Sequence, residues 1–273
     1  MRNSTDNKNK IKAKKEFGQN FLTNDLIIKE FVTSLSIENN DFIIEIGGGS
    51  GALTKEIIKF CNKYLKLFVF EIDDGLIKFL KDIVKDCDNS HIQHKDFLNV
   101  KLDKLYEPYR KQANYYKIIG SIPYNITSPI IHKILKLKYR PDTILLIIQK
   151  EVGDKIIENA PNGSYWSNII LGYKPTKLFK IHRNEFYPSP KVDSVAIKLV
   201  KDKNTEKIIN EIGFDNWSKF LHHVFKNPRK MIKKAFNEKL LKSANINPND
   251  RPQHIDQKKL ISLYNLIYKN RTQ

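Results

Sequence analysis

Cysteine is almost missing from this chain: Cys61 and Cys87 are the only two in 273 residues. Two cysteines build no disulfide framework and no metal-ligand spacing, so they read as incidental thiols of a reducing compartment. The seven histidines fall into no triad or ligand cluster, and no metal site is expected. Long apolar runs are absent too. Nothing approaches the eighteen or so consecutive apolar residues of a membrane helix. Residues 1–15 are polar and basic, without the apolar centre of a secretory signal. A cytoplasmic protein with no membrane partner is therefore expected. No internal repeat is visible, nor any low-complexity tract beyond that basic segment.

Negative charge is scarce, with 30 Asp and Glu against 48 Lys and Arg for a net charge of +18. Such a chain is drawn to polyanions, nucleic acid first among them. The lysines are not spread evenly. Residues 1–15 hold six Lys/Arg against one Asp, and residues 201–273 hold sixteen Lys/Arg against seven Asp/Glu. The basic patch Lys226, Arg229 and Lys230, beside the Pro228 break, is the candidate contact to nucleic-acid phosphates.

From about residue 24 to 150, short apolar runs alternate with helical patterns. Strands are expected at Asp41–Ile46, Lys66–Glu71, His91–His94, Lys117–Ser121 and Thr143–Gln149. Helices are expected at Ala52–Phe60, Asp74–Lys85, Ile126–Leu137 and Glu151–Glu158. Continuous apolar strands suit a parallel sheet covered on both faces, and the alternation implies right-handed βαβ units. Thr176–Ile181 and Ser194–Val200 look like an antiparallel pair closing one edge. Between them, Tyr187 to Pro190 carries two prolines and reads as irregular. After Val200 the pattern turns helical, which places a domain boundary near residue 203. The expected division is a basic flexible tail at 1–15, an α/β domain at 16–203 and a small all-helical domain at 204–273.

Ligands of open α/β sheets bind at the carboxyl ends of the strands, and the candidate chemistry gathers there. Gly47, Gly49 and Gly51 follow the first strand and open a helix, where glycine lets the backbone approach a ligand. Glu71 ends the second strand and can accept from both hydroxyls of a ribose, with Ile72 beside it. Asp96, after the third strand, can meet an adenine amine, with Phe97 next to it. These parts alone also fit a dinucleotide fingerprint, so a nicotinamide-dependent dehydrogenase stays open at this point. Ser121, Ile122, Pro123 and Tyr124 close the next strand with a small polar group, a carbonyl and a flat ring. That step suits a planar nucleobase held by its exocyclic amine, and it has no role in hydride transfer.

With these residues in hand, the chain resembles the ribosomal RNA adenine dimethyltransferase family, its small-subunit type most closely. The matching segments are Lys15 to Leu22, Glu45 to Thr54, Phe70 to Asp73, Asp96-Phe97, Ile122 to Asn125, Gln149 to Val152, Phe186 to Ser194 and Phe225 to Lys230. They run in family order over nearly the whole chain. The resemblance implies a Rossmann-like methyltransferase sheet with helices on both faces and a small helical C-terminal domain. It implies S-adenosylmethionine as cofactor, touched by Asn20, Leu22, Gly47, Glu71 and Asp96. It places the target adenine against Tyr124, with Phe186 as a second ring. The family usually has Asn where this chain has Ser121; the wider class of amine-directed methyltransferases accepts Ser there, so activity is expected to survive. The implied substrate is a pair of adjacent adenines in the 3′-terminal hairpin loop of small-subunit ribosomal RNA, met in the immature 30S subunit by a monomer. Two other readings fit part of the pattern: a ribosome-assembly factor that binds without much catalysis, and a large-subunit RNA methylase conferring antibiotic resistance.

Overall fold

The computed structural model describes residues 13–62 and 64–268. In chain order the strands and α-helices are β1 (Phe21–Leu22), α1 (Asp25–Thr33), β2 (Phe42–Ile46), α2 (Ala52–Ile57), β3 (Lys66–Glu71), α3 (Asp74–Val84), β4 (Ser90–His94), α4 (Leu102–Tyr106), β5 (Tyr116–Ser121), α5 (Thr127–Leu135), β6 (Thr143–Gln149), α6 (Lys150–Ile157), α7 (Tyr165–Ile169), β7 (Tyr173–Ile181), β8 (Phe186–Tyr187), β9 (Ser194–Lys201), α8 (Lys203–Ile212), α9 (Phe214–Val224), α10 (Glu238–Ser243) and α11 (Gln257–Tyr268). The architecture is α/β and Rossmann-like, and the described chain from Lys203 onward carries no strand. Packing divides it into two compact units, Met1–Ile130 with Ile181–Asp193, and Ile131–Lys180 with Ser194–Gln273.

In the first unit the strand order is β4-β3-β2-β5, and all three pairings are parallel. Ile46 lies opposite both Phe70 and Gly120, so β2, β3 and β5 end at the same level. Every residue of β2 is buried. Such a strand is largely apolar on both faces, with Glu45 the exception, which is why Phe42–Ile46 reads as a run and not as an alternation. At its amino end Phe42 packs against Phe68, Tyr106, Tyr109 and Tyr116 with ring centroids 5.1–5.4 Å away. Beside that cluster lies a buried ion pair. Lys117 Nζ donates to Asp41 Oδ2 and to the Ser36 carbonyl, both at 2.6 Å. Burial pushes the Asp41 carboxyl above its ordinary range despite the Lys117 partner.

The second unit has the strand order β6-β9-β7. β6 and β9 are antiparallel, from Thr143 opposite Val200 to Gln149 opposite Ser194. Its helical core centres on Trp217, which is fully buried, stacks on Phe220 at 5.3 Å and donates from Nε1 to the Asn168 carbonyl at 2.9 Å. Buried Arg140 donates to the Leu135 and Leu171 carbonyls at 2.7 and 3.1 Å, tying α5 to the turn before β7.

Several expectations change here. The strands and helices lie where the apolar patterns put them, and β7 with β9 forms the expected edge pair. The division by packing does not fall at residue 203, because α9 docks on α7 through Trp217 and so joins the same unit as β6, β7 and β9. Residues 1–12 of the expected tail lie outside the described residues. The tail does not extend to residue 15: Lys14 is ion-paired with Asp73 at 2.6 Å, and Lys15–Phe17 forms a 3-10 turn. The two cysteines are not free thiols. Cys61 and Cys87 are joined as a disulfide with Cα atoms 6.1 Å apart. They follow the helical segments that end at Phe60 and Val84, and a sequence separation of 26 gave no local sign of the meeting. Finally, the proline-flanked stretch is not wholly irregular, since Phe186–Tyr187 pairs as β8 with β1, antiparallel.

Candidate active site

The first unit holds a cavity of about 990 Å³, its mouth included, at the carboxyl ends of β2, β3 and β5. The carboxyl ends of parallel strands are where ligands of open α/β sheets bind. The floor of the cavity is the turn after β2. Gly47 has φ +73°, a region that side chains rarely adopt, and a Cβ there would meet nothing within 4 Å. The turn therefore presents bare backbone to the cavity. Gly49 N–H donates to Glu71 Oε2 at 2.7 Å, and Glu71 Oε1 accepts from the N–H groups of Ile72 and Asp73 at 2.9 and 2.8 Å. Three of the four lone-pair sites of this carboxylate are thus taken. The remaining one, on Oε2, is left for a ligand hydroxyl. Ile72 is 44% exposed and forms an apolar wall. Asp96 caps the turn Phe97–Asn99 through Leu98 N–H at 2.8 Å and also accepts from Asn99 Nδ2 at 3.1 Å. Phe97, buried under that turn, lines the same wall.

Beneath the glycine turn lies Glu45, a full residue of β2 with no exposure. Its Oε2 accepts from Thr54 Oγ1 at 2.8 Å, while its Oε1 has no partner. Burial, with the Glu71 charge adding to it, pushes this carboxyl up to about 8, against the Thr54 bond. A group so placed is neutral at pH 7. It opens the segment Glu45 to Thr54, yet nothing in the sequence marked it as a buried acid.

The cavity roof comes from residues 17–22. Gln19 links this strap to its neighbour: its Oε1 accepts from Lys14 N–H at 2.7 Å, and its Nε2 donates to Asp73 Oδ2 at 2.9 Å. Burial raises the Asp73 carboxyl, but hydrogen bonds from Lys14, Gln19 and Gly75 N–H outweigh it and hold the group below its usual range. At the far end Thr23 N–H donates to the Glu185 carbonyl at 2.8 Å, and β1 pairs with β8. Helix α1 is capped by Asn24, which accepts from Leu26 and Ile27 N–H. Asn20 Nδ2 donates to the Gly18 carbonyl at 3.1 Å, and the residue lines the cavity.

The end of β5 closes the other side. Ser121 is half-buried, and its hydroxyl makes no hydrogen bond within the described residues. The Pro123 carbonyl accepts from Ile126 N–H and Thr127 Oγ1, both at 3.3 Å, which bends the chain into the turn that carries Tyr124. Phe186 reaches the same cavity from β8, 5% exposed, opposite Leu22.

Of the residues read from the sequence, Asn20, Leu22, Gly47, Gly49, Glu71, Ile72, Asp96, Phe97, Ser121, Ile122, Pro123, Tyr124 and Phe186 all line this one cavity. Gly51 does not. It starts α2 with φ +70°, and a Cβ on it would lie 2.2 Å from Ile83 Cδ1, so it serves the packing of α2 on α3. Lys226, Arg229 and Lys230 are exposed in the second unit, in the turns after α9. Phe17, Gln19, Phe21 and Lys95 line the cavity as well, without having been singled out. Among the described residues no group of His, Cys, Asp and Glu could hold a metal, and no helix is long and apolar enough to cross a membrane.

The S-adenosylmethionine implied by the sequence fits these residues. The acceptor left on Glu71 answers a ribose hydroxyl, the apolar Ile72 a purine face and the carboxylate of Asp96 the purine amine, while bare glycine backbone lets the cofactor approach. Glu45, held neutral, adds no second charge under the turn.

Comparison with known proteins places the chain. Residues 10–269 match the family described as ribosomal RNA adenine dimethylase. Ribosomal RNA small subunit methyltransferase A of Mycoplasmopsis pulmonis is 37% identical over 266 residues, covering 93% of this chain and 98% of that protein. A dimethyladenosine transferase structure from Plasmodium falciparum aligns with a TM-score of 0.74 at 21% identity, over 92% of this chain and 98% of that one. The 23S rRNA methyltransferase ErmE gives 0.69 at 20% identity, over 90% and 99%. The two structures speak for the fold. The match along almost the whole length, joined to a relative above one-third identity, speaks for more: this chain belongs to the ribosomal RNA adenine dimethylase family.

Proposed function

We infer that this enzyme adds methyl groups to the exocyclic amines of two adjacent adenines in small-subunit ribosomal RNA. The family makes it an S-adenosylmethionine-dependent methyltransferase acting on ribosomal RNA. The finer reading is that its substrate is the 3′-terminal hairpin loop in the immature 30S subunit. It is supported by relatives called small subunit methyltransferase A. In that role the protein works in the cytoplasm, as a monomer.

The observation that carries the reading is the meeting of Glu71, Asp96, Ser121–Tyr124 and Phe186 around one cavity. Glu71 would hold the ribose of S-adenosylmethionine, Ile72 and Phe97 its purine, and Asp96 the purine amine, with Asn20 and Leu22 closing over it. When bound, the cofactor supplies an electrophilic methyl group on a sulfonium. The protein's own task is the nucleophile. An adenine amine is poor because its lone pair is delocalised into the ring. Ser121 Oγ and the Ile122 carbonyl would accept its two hydrogens and favour a pyramidal nitrogen with a localised pair. A serine oxygen reaches less far than an amide, so the base must sit deeper by about one bond length than with Asn at this position. Tyr124 and Phe186 would clasp the ring and align it, an effect of orientation. The base must leave its stack to enter, and a hairpin loop gives it up at least cost. Exposed Lys226, Arg229 and Lys230 would meet RNA phosphates, with the helical stretch 204–273 as the RNA-binding part.

Transfer to naked and particle-bound ribosomal RNA, read by mass mapping of the methylated nucleotides, tests this. Dimethyladenosine at two adjacent positions of small-subunit RNA is expected. Methylation of large-subunit RNA alone, or tight binding with no transfer, would overturn it.

A further inference from the structure

Tyr187 is exposed and follows Phe186, which lines the pocket. It is 59% exposed while its neighbour Phe186 is 5% exposed. Its side chain makes no hydrogen bond or ring contact among the described residues. The backbone beneath it is fixed. Tyr187 lies opposite Phe21 in the β1–β8 ladder, and Phe21 lines the cavity. Partners across an antiparallel pair share a face, so Tyr187 stands on the face of the ladder that Phe21 occupies.

The surroundings are cationic. Arg183 and Lys191 are exposed, whereas the carboxylates of the same segment are half-buried and occupied. Glu185 accepts from Asn24 Nδ2 at 2.8 Å, and Asp193 lies 3.4 Å from Arg183 Nε. Arg183 is further held by the Lys191 carbonyl at 2.8 Å, and Ser189 Oγ donates to the Arg183 carbonyl at 3.0 Å. An exposed aromatic ring in a segment that carries exposed cations has the parts of a single-stranded nucleic acid platform.

We propose that Tyr187 stacks the nucleotide next to the target adenine in the RNA strand, outside the pocket, while Arg183 and Lys191 meet its phosphates. This rests on the reading of Phe186 as a wall of the target pocket. Phe186 then takes the flipped base and Tyr187 the neighbour that stays behind, so consecutive residues of one strand receive consecutive nucleotides.

The test uses the full-length enzyme with small-subunit RNA carrying an abasic site on the 5′ or the 3′ flank of the target, in naked and particle-bound form. Stacking of this kind is worth on the order of ten-fold in affinity. Tyr187→Ala should raise the KM for RNA about ten-fold with kcat and cofactor affinity unchanged, and Tyr187→Trp should restore it. On one flank the abasic site should cost the parent enzyme a similar factor and cost Tyr187→Ala nothing more. Independent losses on both flanks, or an unmoved KM in Tyr187→Ala, would overturn the proposal. So would an effect confined to particles that contain protein, which would assign the ring to a protein partner. If the parent transfers no methyl to adenine, the underlying reading fails instead, and the two failures are told apart.

Discussion

Replacing Glu45 with glutamine should make the protein more stable as the pH rises. The carboxyl is fully buried, with Oε1 unpartnered, and lies at about 8 in the folded protein against 4.5 ordinarily. Between these values the unfolded chain has released the proton and the folded chain retains it. Stability therefore falls with rising pH across that window. Each unit is worth about 1.4 kcal/mol, so the burden at pH 7 is about 3 kcal/mol and approaches ~5 kcal/mol above pH 8 as an upper bound. Below pH 4.5 both states are protonated and the burden is gone. Glutamine keeps the bond from Thr54 and never ionises, but its amide hydrogens find no acceptor, a roughly 1–3 kcal/mol loss that does not depend on pH. Urea unfolding of both proteins at steps from pH 4.5 to 8.5 gives the difference directly. That difference should climb in favour of Glu45→Gln by about 1 kcal/mol per unit between pH 5 and 8 and level off above pH 8. Parallel curves over the whole range would show that Glu45 is charged in the fold and that the argument from burial is wrong.

Further outcomes concern the site and its supports. Tyr124→Ala should lower kcat/KM by about a hundred-fold through lost orientation, with cofactor affinity nearly intact by titration; an unchanged rate removes Tyr124 from the mechanism. Loss of Lys226, Arg229 and Lys230 together should weaken RNA binding and flatten its salt dependence; an unaltered slope makes the patch a bystander. Lys117→Met strands the buried Asp41 and should cost about 3–5 kcal/mol in unfolding free energy; a smaller change would mean that Asp41 takes up a proton in the variant. Lys14→Met should speed cofactor release in stopped flow, because it frees one end of the strap. In the parent the clamp needs Asp73 ionised, so it should survive mild acid and fail only as pH falls through the lowered value for that carboxyl; release that is insensitive to both changes would separate the strap from the cofactor.

Much of this was legible in the chain because burial is written into composition. Lys66–Glu71 and Thr143–Gln149 are strands with the bounds their apolar runs suggest, since a strand covered on both faces admits few polar residues. The chemical residues were legible for a related reason: glycine, acid and aromatic at strand ends are costly to place without a use. What stayed hidden depends on residues far apart. β1 and β8 are two residues each and pair across about 160 positions, so no period announces them. The Lys14–Asp73 link and the Cys61–Cys87 bond are meetings in space with no local pattern. Gly51 resembled its neighbours in the turn, and only the packing of Ile83 against it tells its role apart. Glu45 looked like one more acid in a glycine segment until its burial was visible.

The central claim is that one cavity beside Ser121–Tyr124 receives both a methyl donor and an extruded purine. A crystal structure of the protein with an S-adenosylmethionine analogue and a short adenine-bearing RNA loop tests it most directly. The expected density places the analogue's ribose on Glu71 and the purine between Tyr124 and Phe186, its amine facing Ser121 Oγ and the Ile122 carbonyl. A purine bound elsewhere, or a pocket filled by the protein's own side chains with both ligands present, would contradict it.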